Sequence, residues 1–257
     1  RFVSRFLSPE TPYNSALLFH GVGVGKTCAA VSTAEAYLEK YPRKQVIIIA
    51  PPNIQSGFER TIFDINSVKF GDSEDAANEA RGCTGSTYLR LSNTEFVREK
   101  NLVQARVQRL MRKRYAMYGY LEFYNYVNKI MERVPKGVPP ERRAQIELQN
   151  LRSIFSGRFI IIDEAHLSVA DSYRKVIAAA GYPLLLGLTG TPQRLDGRGL
   201  REVFDLLVHT CSTADLIDEK LLAPVRVFAP PGADLSGIGR RGGDFDQGQA
   251  GAVMSRP

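Results

Sequence analysis

The sequence predicts an α/β fold, in which a mostly parallel sheet has helices on both of its faces. Three continuously apolar runs have the character of buried parallel strands: Val46–Ala50, Phe159–Ile162 and the run PLLLGLTG that begins at Pro183. A helix is predicted from Lys26 to about Lys40, where apolar side chains recur at helical spacing and no proline interrupts. Buried strands that alternate with helices are typical of a sheet covered on both faces.

Composition limits the classes of protein that need to be considered. Of the 257 residues, 44% are apolar and 24% charged, which is typical of a globular protein, and the net charge of +7 permits an anionic partner. No apolar run approaches the roughly 20 residues that cross a bilayer, so we expect no membrane partner. Cys28, Cys83 and Cys211 are widely scattered. A zinc site or disulfide is therefore not expected, and a reducing, cytoplasmic compartment is the default.

A glycine-rich segment lies between a short apolar strand at residues 17–19 and the predicted helix. Glycines let backbone N–H groups turn towards a phosphate, and the start of the helix adds its positive dipole end. The residues expected to contact the nucleotide are Gly21, Val22, Gly23, Val24, Gly25, Lys26 and Thr27. Lys26 would contact the β- and γ-phosphates, and the Thr27 hydroxyl would ligate Mg²⁺. His20 departs from the strict P-loop pattern, and the alternative is a plain turn that caps a helix.

Acidic residues follow the apolar run Phe159–Ile162. Ligands of an open parallel sheet bind at the carboxyl ends of its strands, so Asp163 and Glu164 would meet the phosphate segment if their strands are neighbours. Asp163 is suited to hold hydrated Mg²⁺, and Glu164 to orient or deprotonate an attacking water. The alternative is a pair of surface acids that cap the next helix.

The segment 98–143 contains twelve basic and four acidic side chains, a local net charge of +8. It is predicted to be mainly helical, with Val103 and Val107 on one face. Arg106, Arg109 and Lys113 border that face and are candidates for contacts to nucleic-acid phosphates, with aromatic residues that follow them available to stack on bases. The alternative is a solvated helix face and tyrosines that pack in the core.

Three motifs together resemble those of superfamily 2 helicases of the DExH/DEAH kind: Gly-x-Gly-Lys-Thr, Asp163-Glu164-Ala165-His166 and Thr189-Gly190-Thr191. Their spacing fits, with 137 residues from Lys26 to Asp163 and 26 from Asp163 to Thr189. The resemblance covers nearly the whole chain as a first RecA-like P-loop NTPase domain. The N-terminal part is similar to helicase-like NTPases of large DNA viruses, including those related to the poxvirus early transcription factor. The C-terminal part resembles bacterial and phage DEAD/DEAH-box helicases.

The resemblance implies ATP and Mg²⁺ as ligands and DNA or RNA as partner. It assigns Thr189, Thr191 and His166 to the coupling of hydrolysis with domain movement, although Gly190 stands where relatives often carry alanine. It places Pro51 and Asn53, in the motif Ia region, on the nucleic acid. A plain strand–helix turn is the alternative for that region.

The expected organisation is a RecA-like ATP-binding domain at 1–228, with a basic, mainly helical insertion at 98–150, and a linker at 229–257 towards a second RecA-like domain of the full-length chain. Because the arginine finger belongs to that second domain, we expect the chain alone to bind ATP–Mg²⁺ and hydrolyse it slowly. Two alternatives stay open. One is a double-strand translocase or transcription-factor ATPase subunit that does not unwind. The other is a degenerate, nucleotide-dependent binding module. A viral protein would act in the host cytoplasm or the virion.

Overall fold

A computed structural model describes residues 2–7, 11–19, 25–73, 75–165, 176–177, 183–190, 200, 203–209, 213–220, 223, 240–241 and 244–245. Its helices are α1 (Phe2–Phe6), α2 (Lys26–Lys40), α3 (Pro52–Ile62), α4 (Thr87–Leu91), α5 (Lys100–Arg114), α6 (Tyr120–Met131), α7 (Pro140–Phe155) and α8 (Thr213–Asp218), with a 3₁₀ turn at Ile65–Ser67. Its strands are β1 (Ser15–Phe19), β2 (Val46–Ile49), β3 (Val68–Lys69), β4 (Glu79–Ala80), β5 (Tyr115–Tyr118), β6 (Phe159–Ile162), β7 (Leu184–Thr189), β8 (Leu206–His209), β9 (Arg240–Arg241) and β10 (Asp244–Phe245).

Six of these strands form one sheet in the order β5-β2-β6-β7-β1-β8. Every pairing in that sheet is parallel. The strands predicted from the three apolar runs are confirmed as β2, β6 and β7, and the helix predicted from Lys26 to Lys40 is α2. The predicted fold class is therefore confirmed.

Helices cover both faces of the sheet. On one face, α2, α3 and α5 bury Ala34, Phe58 and Val107 in one apolar cluster with strand residues such as Ile48. On the other face, α6 and α7 bury a second cluster against the strand residues of opposite parity, as alternation along a strand requires. Among the residues that the structure describes, no helix combines the length and apolar character that a membrane crossing needs.

The basic segment contributes a strand to the sheet, which its charge pattern did not predict. Within residues 98–150, α5 leads directly into β5, the edge strand beside β2, and α6 and α7 follow. The buried face predicted for α5 is confirmed, since Val103 and Val107 are fully buried. The segment is thus mainly helical, but it is built into the domain rather than set apart from it.

A polar network joins α2 to the basic segment in the interior. The Glu35 carboxylate accepts hydrogen bonds from the hydroxyls of Tyr88 and Tyr115, and it pairs with the Arg114 guanidinium at 2.6 Å. Arg114 also donates to the Tyr88 hydroxyl. Burial is the largest cause that raises the pKa values of Tyr88 and Tyr115, and the charge of Glu35 raises them further. Both tyrosines therefore remain neutral donors.

Glu35→Gln should lower the free energy of unfolding by about 3 kcal/mol, because it leaves the charge of Arg114 poorly compensated where both side chains are only 12% exposed. The matched control is Glu147→Gln, which breaks the Arg143–Glu147 pair, whose side chains are 57% and 31% exposed. That control should cost less than about 0.5 kcal/mol. Urea denaturation measures both, and equal losses would contradict a stabilising role for the buried network.

The expectation that no disulfide forms is wrong. Cys28, in the first turn of α2, is bonded to Cys83, and their Cα atoms are 5.6 Å apart across 55 residues of sequence. Separation along the chain does not report separation in space, and the fold brings the segment before α4 against the start of α2. The bond ties the start of α2 to the loop that precedes α4.

A reducing agent, or Cys28→Ser, should lower the free energy of unfolding by about 2–4 kcal/mol, because the closed loop no longer restricts the unfolded chain. The double variant Cys28→Ser/Cys83→Ser serves as control, and its stability should not respond to the reducing agent. Peptide mapping without reduction should recover Cys28 and Cys83 in one linked species. Free thiols at both positions in the oxidised protein would show that the bond does not form.

Candidate functional site

The candidate site lies where the parallel strands end. Because the strands of the sheet run in one direction, the carboxyl ends of β1, β6 and β7 share one edge. The sequence left open whether the phosphate strand β1 and the acidic strand β6 are neighbours, and they are not, because β7 lies between them. Two strand spacings separate them by roughly 10 Å, a gap that a lysine side chain on one side can largely span.

Lys26 lies towards that gap. It is the first residue of α2, preceded by Gly25 at φ 82°. This left-handed backbone suits glycine. A Cβ atom added to Gly190, just after β7, would lie 3.5 Å from the Lys26 Nζ atom. Burial and the charge of Glu164 raise the pKa of Asp163 overall, and the charge of Lys26 offsets part of that rise. The lysine of the phosphate segment therefore lies within electrostatic reach of the first acid of the DEAH box.

Asp163 is held at the end of β6 in a partly buried position. Its backbone N–H donates to the carbonyl of Ile49 at 2.9 Å, which ties the end of β6 to the end of β2. Burial is the main cause that raises the pKa of its carboxyl, and the neighbouring Glu164 raises it further. Despite the charge of Lys26, the carboxylate is thus less favourable here than in water, so a bound metal cation would be favoured.

Glu164 adopts a backbone conformation that is unusual for its residue type. Its φ is 47°, in the left-handed region. For a residue with a Cβ atom this costs on the order of 1–2 kcal/mol, and such residues cluster at functional sites. We call Asp163–Glu164 the acidic turn. It redirects the chain directly after the buried strand β6.

Gly187 makes room beneath the acidic turn. It lies in the middle of β7, and a Cβ atom there would come within 2.5 Å of the Phe204 ring and 2.8 Å of the Ala165 Cβ atom. Ala165, the residue after the acidic turn, is fully buried at this contact. Gly187 therefore allows the chain after the turn to pack closely on the sheet.

The remaining predicted site residues divide into two groups. Thr27 is half-buried in the first turn of α2, and Thr189 is buried at the end of β7. Residues outside the described part of the chain are Gly21, Val22, Gly23, Val24, His166 and Thr191. The roles assigned to all of them, and to Lys26, Asp163 and Glu164, stay predictions.

The donor set suits a hard cation beside a phosphate. Asp163 offers carboxylate oxygens and Thr27 a hydroxyl, the oxygen ligands that Mg²⁺ prefers, and this ion usually keeps several waters rather than a full protein cage. Lys26 adds a positive charge on the side of the phosphates. The residues present therefore fit a hydrated magnesium ion bound together with a nucleotide.

The nucleic-acid candidates do not form one group. Pro51 and the exposed Asn53 lie just beyond the carboxyl end of β2, on the same edge as the acidic turn. Arg106, Arg109 and Lys113 are exposed on α5, as predicted for a solvated face. Lys113 lies just before the amino end of β5 and hence at the opposite edge of the sheet. A contact role for each set stays a prediction.

Most of the aromatic residues after the basic run serve the interior. Tyr115 and Phe123 are buried, and the rings of Tyr118 and Tyr126 stack at 5.1 Å. Tyr120 was weighed for base stacking and not for the nucleotide site, yet its hydroxyl donates to the Asp163 carbonyl in the acidic turn. Its position directly after a strand end was the signal that could have identified it. Gly187 gave no comparable signal beyond a glycine inside an apolar run.

Comparison with known families agrees with this geometry. Residues 8–194 match the ResIII family, described as Type III restriction enzyme, res subunit. The chain belongs to this family. It has the fold of a first RecA-like domain of superfamily 2 helicases. Membership of the family implies that the chain uses a nucleotide.

Relatives of this ResIII domain occur in large DNA viruses and in yeast. It is 27% identical to "Putative ATP-dependent RNA helicase L377" of Acanthamoeba polyphaga mimivirus, over 75% of the chain and 17% of that protein. It is 22% identical to "Putative helicase 087L" of Invertebrate iridescent virus 3, over 85% of the chain and 21% of that protein. A shorter match, 33% identical over 39% of the chain and 16% of the relative, is to "Putative ATP-dependent helicase IRC3" of Saccharomyces cerevisiae. The chain thus spans about a fifth of the length of these relatives.

Proposed function

We propose that this ResIII domain binds and hydrolyses ATP as part of a superfamily 2 helicase that moves on DNA or RNA. The observation that carries the proposal is the convergence of Lys26 with Asp163 and Glu164 at one edge of the sheet, although their strands are not adjacent. A surface pair of acids or a plain helix-capping turn would not need this convergence. The helicase names of the relatives give the same indication.

Each residue has a defined task in the proposed reaction. Lys26 neutralises charge on the β- and γ-phosphates, and the amides in the first turn of α2 face the phosphates. Glu164 orients the attacking water and accepts its proton. The water oxygen bonds to the γ-phosphorus, the bond to the β–γ bridging oxygen breaks, and ADP leaves with those electrons.

Thr27 and Asp163 are the residues that would hold Mg²⁺. When bound, this ion neutralises charge on the phosphate oxygens. The raised pKa of Asp163 supports the assignment, because a cation would offset the cost of burying the charged carboxylate.

The polymer would be contacted first by the turn that contains Pro51 and Asn53, since it lies on the edge of the acidic turn. Contacts from Arg106 and Arg109 would add affinity for phosphates without sequence preference. A second RecA-like domain in the full-length protein would supply an arginine finger, which raises turnover by roughly three to five orders of magnitude. Closing of the two domains would drive the movement.

The proposed location is the virion or the cytoplasm of a host cell, on the model of the viral relatives. The Cys28–Cys83 disulfide favours the virion of these two, because cytosolic thiols are kept reduced.

Glu164→Gln should lower ATP turnover by about two to four orders of magnitude, because the amide cannot accept a proton. We would measure phosphate release by the full-length protein, with and without single-stranded DNA or RNA. The wild type should be stimulated by one or both polymers, and binding of ATP should persist in the variant. Strand displacement by the wild type then separates unwinding from movement on a duplex.

The control is Glu39→Gln, the same change at an exposed position of α2. It should leave turnover and stimulation unchanged. Equal turnover by wild type and Glu164→Gln would remove the catalytic role of Glu164. A wild type that binds ATP but does not turn it over would instead favour a nucleotide-dependent binding module.

A further inference from the structure

A side chain from outside the three helicase motifs contacts the acidic turn. Tyr120 is the first residue of α6, and its hydroxyl donates a hydrogen bond to the backbone carbonyl of Asp163 at 2.9 Å. The two residues are 43 positions apart, so the fold and not the local chain brings them together. We propose that Tyr120 is a positioning residue for ATP hydrolysis, which holds the acidic turn so that the Glu164 carboxylate points at the attacking water.

The acidic turn needs such support because of its backbone. Glu164 has a φ of 47°, and a residue with a Cβ atom stays in that region only when its surroundings hold it there. Both backbone groups of the preceding Asp163 are fixed. Its N–H bonds to the carbonyl of Ile49 within the sheet, and its carbonyl bonds to Tyr120. The peptide group that leads into Glu164 therefore takes its orientation partly from a tyrosine hydroxyl.

The position of Tyr120 is itself well determined. The ring is partly buried and packs against the apolar cluster beneath β6. The Glu122 carboxylate accepts a hydrogen bond from the Gly119 N–H at the start of α6, and the Tyr118 carbonyl accepts one from the Ala50 N–H. The hydroxyl of Tyr120 is thus presented from a fixed helix start rather than from a loop.

Two other tyrosines of α6 have different surroundings from those of Tyr120. Tyr124 exposes 46% of its surface, and Tyr126 stacks on Tyr118. Removal of the Tyr120 hydroxyl should therefore affect the acidic turn, whereas removal of the Tyr124 hydroxyl should leave it unchanged. The chain offers a matched pair of substitutions that remove the same oxygen atom.

The inference rests on the proposed function, because it assigns Tyr120 a task in ATP hydrolysis. The test uses the full-length protein and the substitutions Tyr120→Phe and Tyr124→Phe. Tyr120→Phe should lower kcat by about tenfold or more, since a small misplacement of a reacting group has effects of that size. The Kd for ATP and the melting temperature should change little. Tyr124→Phe should leave all three quantities at their wild-type values.

A double substitution separates positioning from general damage to the site. If Tyr120 acts through Glu164, then Tyr120→Phe in a Glu164→Gln background should lower kcat by less than twofold, because the group that it positions is already lost. A full additional tenfold loss in that background would overturn the inference. A parallel loss of ATP affinity and melting temperature in Tyr120→Phe would also overturn it, since that pattern indicates a merely structural role.

Amide hydrogen exchange provides a readout that does not depend on turnover. Tyr120→Phe should speed exchange at the amides of Glu164 and Ala165, which follow β6, and should leave exchange within β6 unchanged. Exchange and kcat that both match the wild type would overturn the inference. If the wild type does not hydrolyse ATP, the proposed function fails by itself. In that case, faster exchange in Tyr120→Phe would still support the role of Tyr120 in holding the acidic turn. Unchanged exchange would overturn that role.

Discussion

The parallel direction of all six strands in the main sheet is the constraint on which the site depends. It brings the ends of the phosphate strand β1, the acidic strand β6 and the motif III strand β7 to one edge. The insertion of β7 between the other two sets the distance that Lys26 must span, and Gly187 leaves room for Phe204 and Ala165 to pack against that central strand. If one of these strands ran the other way, its motif would lie at the opposite edge, and no substitution within the motif could compensate.

The elements predicted best are those whose residue types alone indicate that they are buried. The run VIII at β2, the run FIII at β6 and the run LLLGLT at β7 are apolar on both faces, which occurs where helices cover both sides of a parallel sheet. The helix α2 was predicted with its observed bounds because a glycine-rich turn precedes it and apolar spacing continues to Lys40. The approach of Asp163 to the phosphate segment was expected only if β1 and β6 were neighbours. In the structure β7 lies between them, and the charge of Lys26 still acts on Asp163.

What the sequence did not predict depends on contacts between distant residues. β5 has the short sequence YAMY, of which only the first residue is buried, because an edge strand buries less of its surface than a central one. The aromatic residues after the basic run were weighed for base stacking, yet Tyr115 in β5 donates its hydroxyl to Glu35 of α2. The disulfide between Cys28 and Cys83, the role of Gly187 and the contact of Tyr120 likewise arise only after the chain has folded. Propensity and spacing are local properties of the sequence, so they do not reveal contacts between residues that are far apart along the chain.

The central claim is that Lys26 and the acidic turn act on one bound nucleotide. The most direct test is titration calorimetry of an ATP analogue that resists hydrolysis, with Mg²⁺, into the wild-type chain and the Lys26→Ala variant. The account predicts that the variant binds at least about tenfold more weakly, a loss of about 1.4 kcal/mol or more, because the phosphates lose their nearest positive side chain. Equal dissociation constants for the two proteins would contradict it, since the nucleotide would then bind away from the edge where these residues meet.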